Sequence, residues 1–194
     1  MRGLELVSQS SAPVTLADFK TFLKIDGSDE DSFLQLCINA SVAAVEKHIK
    51  RVLVNSQFNL WLDAFPPIAE NTEYRIFNAS EIWLPNPPAI AVASIKTYNE
   101  ANTEATFSSS AYSLDAANGR IYLNDGYVWP TDLRNKNAVK INYTCGYGVC
   151  PDALKQIVMI YAGQLYNSRC DCSMSDTIKT MLSSYKIYDG LGMA

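Results

Sequence analysis

The sequence predicts an α+β fold: a helical bundle formed by both chain ends, with an inserted antiparallel β-sandwich or barrel-like region. Three observations carry this. Apolar residues recur at helical spacing near both ends, whereas the middle alternates with a period of two. Proline- and glycine-rich turns punctuate that middle at short intervals, as in small all-β regions. The stretch Ala138 to Tyr166 joins the two patterns. Val139, Ile141 and Tyr143 alternate with Lys140, Asn142 and Thr144, Gly146-Tyr147-Gly148 breaks the strand, and Pro151-Asp152 suits a first helical turn. The implied division is a discontinuous helical domain, 1–55 and 150–194, around a β-rich insert, 56–149.

Taken in order, Met1 to Ala12 reads as an extended lead-in. Thr15 is a good helix N-cap, with Asp18 in the capping-box position. That helix carries Leu16, Phe19, Phe22 and Leu23 and should end near Asp26-Gly27. Ser28 caps a second helix, with Asp29, Glu30 and Asp31 at its positive end, running to about Arg51. At ~100° per residue, Phe33, Leu36, Cys37, Ala40 and Ala44 form one stripe. Leu34, Ile38, Val45, Ile49 and Val52 form another beside it, and Gln35, Asn39, Glu46 and Lys50 leave only a narrow polar face. So wide an apolar arc predicts burial on two sides, in a bundle centre or against a neighbouring subunit.

Strands are expected at Phe58–Asp63, Ile82–Leu84, Val92–Tyr98, Tyr112–Asp115, Arg120–Leu123 and from Val139. Asn118-Gly119 marks a tight turn, Asn99–Ser110 a polar hairpin loop, and Gly126–Asn137 a loop holding Trp129-Pro130. Leu154, Ile157, Val158, Tyr161 and Leu165 line one face of the returning helix, while Met159, Ala162 and Tyr166 point roughly the other way. A loop with Cys170 and Cys172 leads to a short helix with Ile178, Met181 and Leu182, then a tail. No repeat or low-complexity segment is present.

The chain has 194 residues, 48% of them hydrophobic and 19% charged, enough for a real core. Its 16 basic and 20 acidic residues give a net charge of −4, which argues against binding held mainly by nucleic-acid phosphates. No run of ~18 apolar residues suggests a membrane span, and MRGLELVSQS lacks a signal peptide's apolar core. A soluble intracellular protein is expected. With an odd cysteine count, 5, in a reducing compartment, a disulfide framework is not.

His48 is the one histidine. Within the apolar arc it reads as a packing residue, and alone it gives triad or histidine-based metal chemistry little to work with. Cys145, Cys150, Cys170 and Cys172 could be assembled into a zinc site, but C-x4-C and C-x-C are not zinc-finger spacings; free thiols are the plainer reading. No dinucleotide, phosphate-loop or nucleophile-elbow motif appears. No catalytic residue, cofactor or metal is assigned. Trp61, Trp83 and Trp129 with nearby tyrosines could form a ligand- or carbohydrate-binding platform, although β-core and edge roles are commoner for such residues.

Four segments in register carry a family resemblance. They are Pro13-Val14-Thr15-Leu16-Ala17-Asp18-Phe19-Lys20-Thr21-Phe22-Leu23-Lys24-Ile25-Asp26 with the acidic cap behind it; Ile82-Trp83-Leu84-Pro85-Asn86-Pro87-Pro88 leading to Val92–Tyr98; Val139–Gly148 followed by Pro151; and Leu182-Ser183-Ser184-Tyr185-Lys186. Together they resemble the tailed-phage and prophage head–tail connector proteins, the neck-adaptor group. In the last segment Ser184 stands where the group has proline and Lys186 where it has arginine. The resemblance implies a structural protein of the virion neck, made in the host cytoplasm and assembled as a homo-oligomeric, twelve-fold ring beneath the portal. The ring joins the portal protein to the next neck or tail protein. DNA passes through the lumen without specific recognition, and no membrane is involved. Connectors of this kind can stay monomeric in solution until they meet the portal.

A head-to-tail ring needs two unlike apolar faces per protomer. The residues expected at such an interface are Ile38, Val45 and Ile49 on the second helix, Met159, Ala162 and Tyr166 on the returning helix, and Tyr185. The ends, Met1 to Ala12 and Ser183 to Ala194, are expected to order only on docking.

Overall fold

In a computed structural model, which describes residues 2–66, 81–169 and 173–187, the alternation after Ala138 becomes a strand at the middle of a sheet. In chain order the strands are β1 (Arg2–Gln9), β2 (Ser56–Leu62), β3 (Glu81–Trp83), β4 (Ala89–Tyr98), β5 (Glu104–Phe107), β6 (Tyr112–Asp115), β7 (Arg120–Leu123) and β8 (Val139–Cys145). All pairings are antiparallel. The first sheet has the order β1-β2-β8-β4-β5 and the second β3-β7-β6. The helices are α1 (Leu16–Leu23), α2 (Asp31–Ile49), α3 (Asp152–Ser168) and α4 (Asp176–Leu182). The architecture is therefore mixed helix and antiparallel sheet. Contacts divide the chain into a β unit and a helical unit, with crossings after Gln9, Val54 and Gly146.

In the β unit, Val139, Ile141, Tyr143 and Cys145 of β8 are buried, and their neighbours are half exposed. Opposite them β2 buries Phe58, Leu60 and Leu62 in the register Phe58↔Tyr143, Leu60↔Ile141, Leu62↔Val139. The other face of this sheet is held by amides. Gln57 Nε2 donates to Asn142 Oδ1 (2.7 Å), Asn142 Nδ2 to Asn59 Oδ1 (2.7 Å), and Asn59 Nδ2 to Glu5 Oε2 (3.2 Å). That ladder reaches β1, so the amino-terminal segment is a strand paired along β2 from Arg2↔Leu62 to Gln9↔Ser56. The expectation of a lead-in that orders only on docking is corrected: cross-strand amide bonds and a full register hold it. Part of the anticipated polar loop, Glu104–Phe107, likewise pairs with β4 as β5. Lys96 and Tyr98 both bind the Glu104 carboxylate and fix that register. Among the described residues β1 and β5 end the first sheet, which is open rather than closed as a barrel.

In the helical unit, Thr15 Oγ1 accepts the Asp18 N–H (3.1 Å) and caps α1 as expected, an arrangement typically contributing about 1 kcal/mol. The cap of α2 falls at Glu30 rather than Ser28; the Ser28 carbonyl instead accepts the Asp31 N–H in a preceding turn. Lys20 pairs with Asp31 at 2.7 Å and ties α1 to the start of α2. Phe19, Leu34, Ile38, Val45, Ile49, Leu154, Val158 and Leu182 share one buried core. Burial is worth ~2 kcal/mol for each such side chain. Inside it Ser41 donates to the Val158 carbonyl (2.8 Å), binding α2 to α3. After α4, the Ile187 N–H reaches the Ile49 carbonyl (3.1 Å) and Arg51 Nε the Tyr185 carbonyl (2.9 Å). Residues 183–187 are thus anchored to the end of α2, which corrects the expectation of a free tail there; residues 188–194 lie outside the described residues.

Candidate assembly surfaces

α2 is the informative element. Its buried residues, Leu34, Cys37, Ile38, Ser41, Val45 and Ile49, mark one side of the helix. At ~100° per residue the opposite side, roughly half a turn away, carries Leu36, Ala40 and Ala43, with Ser32, Asn39 and Lys47 around them. All six are exposed, and Leu36 is 61% exposed. The helix presents apolar residues over both faces. The isolated chain covers only one of them.

The residues expected at an interface on α2 lie on its covered side. Ile38, Val45 and Ile49 have no exposed surface and belong to the core that the chain builds for itself. Ala162 is equally buried. All four pack in the shared core of the helical unit. The remaining three are half-buried. Met159 lines a surface groove. The Tyr166 hydroxyl donates to the Glu30 carboxylate, and its ring lies 5.9 Å from Phe33. Arg169 completes that cluster, giving Nη2 to Glu30 Oε1 (2.7 Å) and stacking over Phe33 at 5.2 Å. The tyrosine's hydrogen bond, more than the arginine, holds the Glu30 carboxyl below its ordinary value. Tyr185 packs on the core's edge.

Two further surfaces stand out in the structure. Between α1 and α3 runs a groove of about 460 Å³ lined by Pro13, Asp18, Phe22, Lys155 and Met159 among others. Phe22 is 45% exposed at its edge. In the β unit, β1 has a single strand neighbour among the described residues, and Leu4, Leu6 and Val7 on it are exposed. Val7 sits at a bulge between Leu6 and Ser8. Both surfaces show as apolar residues next to helix or strand signals, but period alone cannot say which apolar residues stay uncovered.

The tryptophans do not form a common platform. Trp129 is buried, 4.4 Å from Phe65 and nearly parallel to it. Trp61 has Tyr98 and Lys140 over its ring. Trp83, on the second sheet, has Arg120 over its own. His48 is half-buried near the end of α2, and burial first, then Lys186 and Lys179, lower its pKa. Cys37, Cys145 and Cys150 are buried, and burial pushes the Cys150 thiol up to about 11. Cys170 and Cys172 lie outside the described residues. Among the described residues no three potential metal ligands come together.

Against known proteins, a family model described as Head completion protein matches residues 13–169. The chain is similar in structure to a protein in the neck of an empty GTA particle computed with C6 symmetry. The TM-score is 0.76 at 21% identity, over 98% of this chain and 100% of that one. It is similar also to a chain of the virion of a native gene transfer agent particle (0.75, 20%, over 95% of each). A third likeness is to a protein in the neck of a native GTA particle computed with C12 symmetry (0.73, 22%, over 97% and 100%). At these identities the likeness is one of fold. No curated protein matches.

Proposed function

The chain belongs to the head completion protein family, and from that premise we propose that it is a structural head–tail connector: a ring-forming adaptor of the virion neck. The ring sits between the portal protein and the next neck or tail protein, and DNA passes through it. The helical unit, assembled from both sides of the β insertion, is the ring-forming body. The observation that carries this reading is the second apolar face of α2, exposed in the monomer and opposite the core. Such a face is what a subunit with lateral neighbours keeps for them. The fold relatives support it, since they come from particle necks to which C6 or C12 symmetry was applied.

Twelve copies per ring, as the C12 relative suggests, would place identical faces at 30° steps, and a heterologous contact repeated at that angle closes. The role requires no bond-making chemistry, so the chain is read as non-enzymatic. The experiment is light scattering of the protein alone and mixed with the portal ring encoded in the same genome, followed by electron microscopy of any complex. Recruitment of about twelve copies as a ring coaxial with the portal is the expected result. A monomer that ignores the portal and forms no ring would overturn the reading.

A further inference from the structure

Resting on that ring reading, we propose which two surfaces meet: the outward face of α2, Leu36-Ala40-Ala43, seats in the Pro13–Phe22–Met159 groove of the next copy. Four observations lead there. A cyclic, head-to-tail contact needs two unlike surfaces on each protomer. The helical unit has such a pair: a convex helix face carrying one large apolar side chain beside two alanines, and a concave groove of about 460 Å³. The face points away from the core that α2 shares with α1 and α3, and the groove lies between those two helices. One subunit can therefore use both surfaces at once.

The chemistry also fits. Leu36 is the protruding side chain, and Phe22 and Met159 are the apolar residues that would receive it. Methionine adapts readily to an incoming aliphatic group, and Phe22, stacked on Phe19, offers it a fixed aromatic wall. Ala40 and Ala43 carry only methyl groups, so the backbone of α2 can approach the neighbour to the short end of ordinary interhelical distances, ~8 Å. Charge favours the same pairing. At the groove Lys155 is neutralised by Asp152 at 3.0 Å, which leaves Asp18 as the net charge: two acids less one base, −1. The outward face of α2 carries the exposed Lys47, +1. A second copy of this chain supplies both complements, which is why it is the occupant proposed.

The test is photocrosslinking in the assembled complex. A photoreactive residue replaces Leu36 in one preparation and Ala43 in another. Each is mixed with isotopically heavy wild-type chain, assembled with the portal ring, irradiated and mapped by mass spectrometry. The expected product is a light–heavy crosslink from position 36 to peptides containing Phe22 or Met159. In parallel, Leu36→Asp should melt within a degree or two of wild type, as an exposed substitution. Its ring yield with the portal should fall at least about tenfold, as for truncation of an interface hot spot. Rings that form with crosslinks mapping to another surface of the neighbour, or a Leu36→Asp chain that assembles normally, would overturn the face assignment and leave the ring reading standing. Wild-type chain that makes no ring with the portal would overturn both.

Discussion

Gly163 gives the sharpest stability prediction. It lies inside α3, buried against α1, where a glycine costs about 0.8–1.0 kcal/mol relative to alanine through backbone entropy. A β-carbon built there meets Leu23 Cδ2 at 3.6 Å and Phe22 Cε1 at 3.7 Å, ordinary van der Waals distances, with nothing closer. Gly163→Ala should therefore recover the helix-propensity cost and gain a few tenths of a kcal/mol in dispersion, about 1 kcal/mol in all. For a cooperative block of 60–100 residues, roughly the size of the helical unit, that raises the midpoint by about 4–8 °C. Gly163→Leu has no room for three further carbons and should lose about 1–3 kcal/mol. Thermal and urea unfolding followed by far-ultraviolet circular dichroism reads both, with the urea slope unchanged for the alanine variant. A Gly163→Ala midpoint below wild type would mean that α1 and α3 approach more closely than the structure shows, and the packing that sets the Phe22–Met159 groove would be wrong.

Other substitutions probe three separate features. Ile38→Asp places a carboxylate in the core and should unfold the helical unit, whereas Leu36→Asp, two residues away on the outward face, should change stability by under about 0.5 kcal/mol; comparable melts for the two would refute the assignment of α2's faces. The Trp129 indole N–H is buried with no acceptor among the described residues, a cost of about 1–3 kcal/mol. Trp129→Phe sheds that donor for ~1 kcal/mol of lost burial and should be neutral or stabilising, against a loss of ~3–5 kcal/mol for Trp129→Ala; a Trp129→Phe loss above about 2 kcal/mol would reveal a missed acceptor. His48, lowered from 6.5 mainly by burial, binds fewer protons folded than unfolded, so its contribution is complete above about pH 6.5 and is lost as pH falls through the folded value. The wild-type melting point should thus fall further than that of His48→Gln between about pH 7.5 and 5.5. Glu46, raised by burial, acts in the opposite direction and cancels in that comparison; parallel curves would refute it.

Much of the fold was legible because period and turn chemistry are local. β8 alternates on the page as it does in the sheet, Thr15 caps α1, Pro151 and Asp152 open α3, and Asn118-Gly119 turns β6 into β7. The amino-terminal strand was less legible. Leu4, Leu6 and Val7 do not alternate cleanly, since a bulge intervenes, and its partner β2 lies about fifty residues on. On α2 the wheel revealed that two faces are apolar but not which faces inward. The core took Leu34, Ile38, Val45 and Ile49 but also the small Cys37 and Ser41, while the large Leu36 stayed outside beside Ala40 and Ala43. Side-chain volume does not separate the two faces; which one is covered depends on where α1, α3 and α4 pack, and that is not local information. Tyr166 was unreadable for another reason: its engagement with Glu30 spans 136 positions.

The register of β2 on β8 bears on how the helical unit closes. Ser56 stands opposite Cys145, so once the β unit folds, the segments leaving α2 and entering α3 emerge side by side. Without that sheet, joining α2 to α3 would close a loop of about a hundred residues; with it, the open span shrinks to little more than a dozen. By the logarithmic dependence of closure entropy on length, the sheet relieves the helices of ~2 kcal/mol. The insertion then works as a folding clamp, letting a helical body interrupted by some ninety residues assemble almost as if its halves were contiguous.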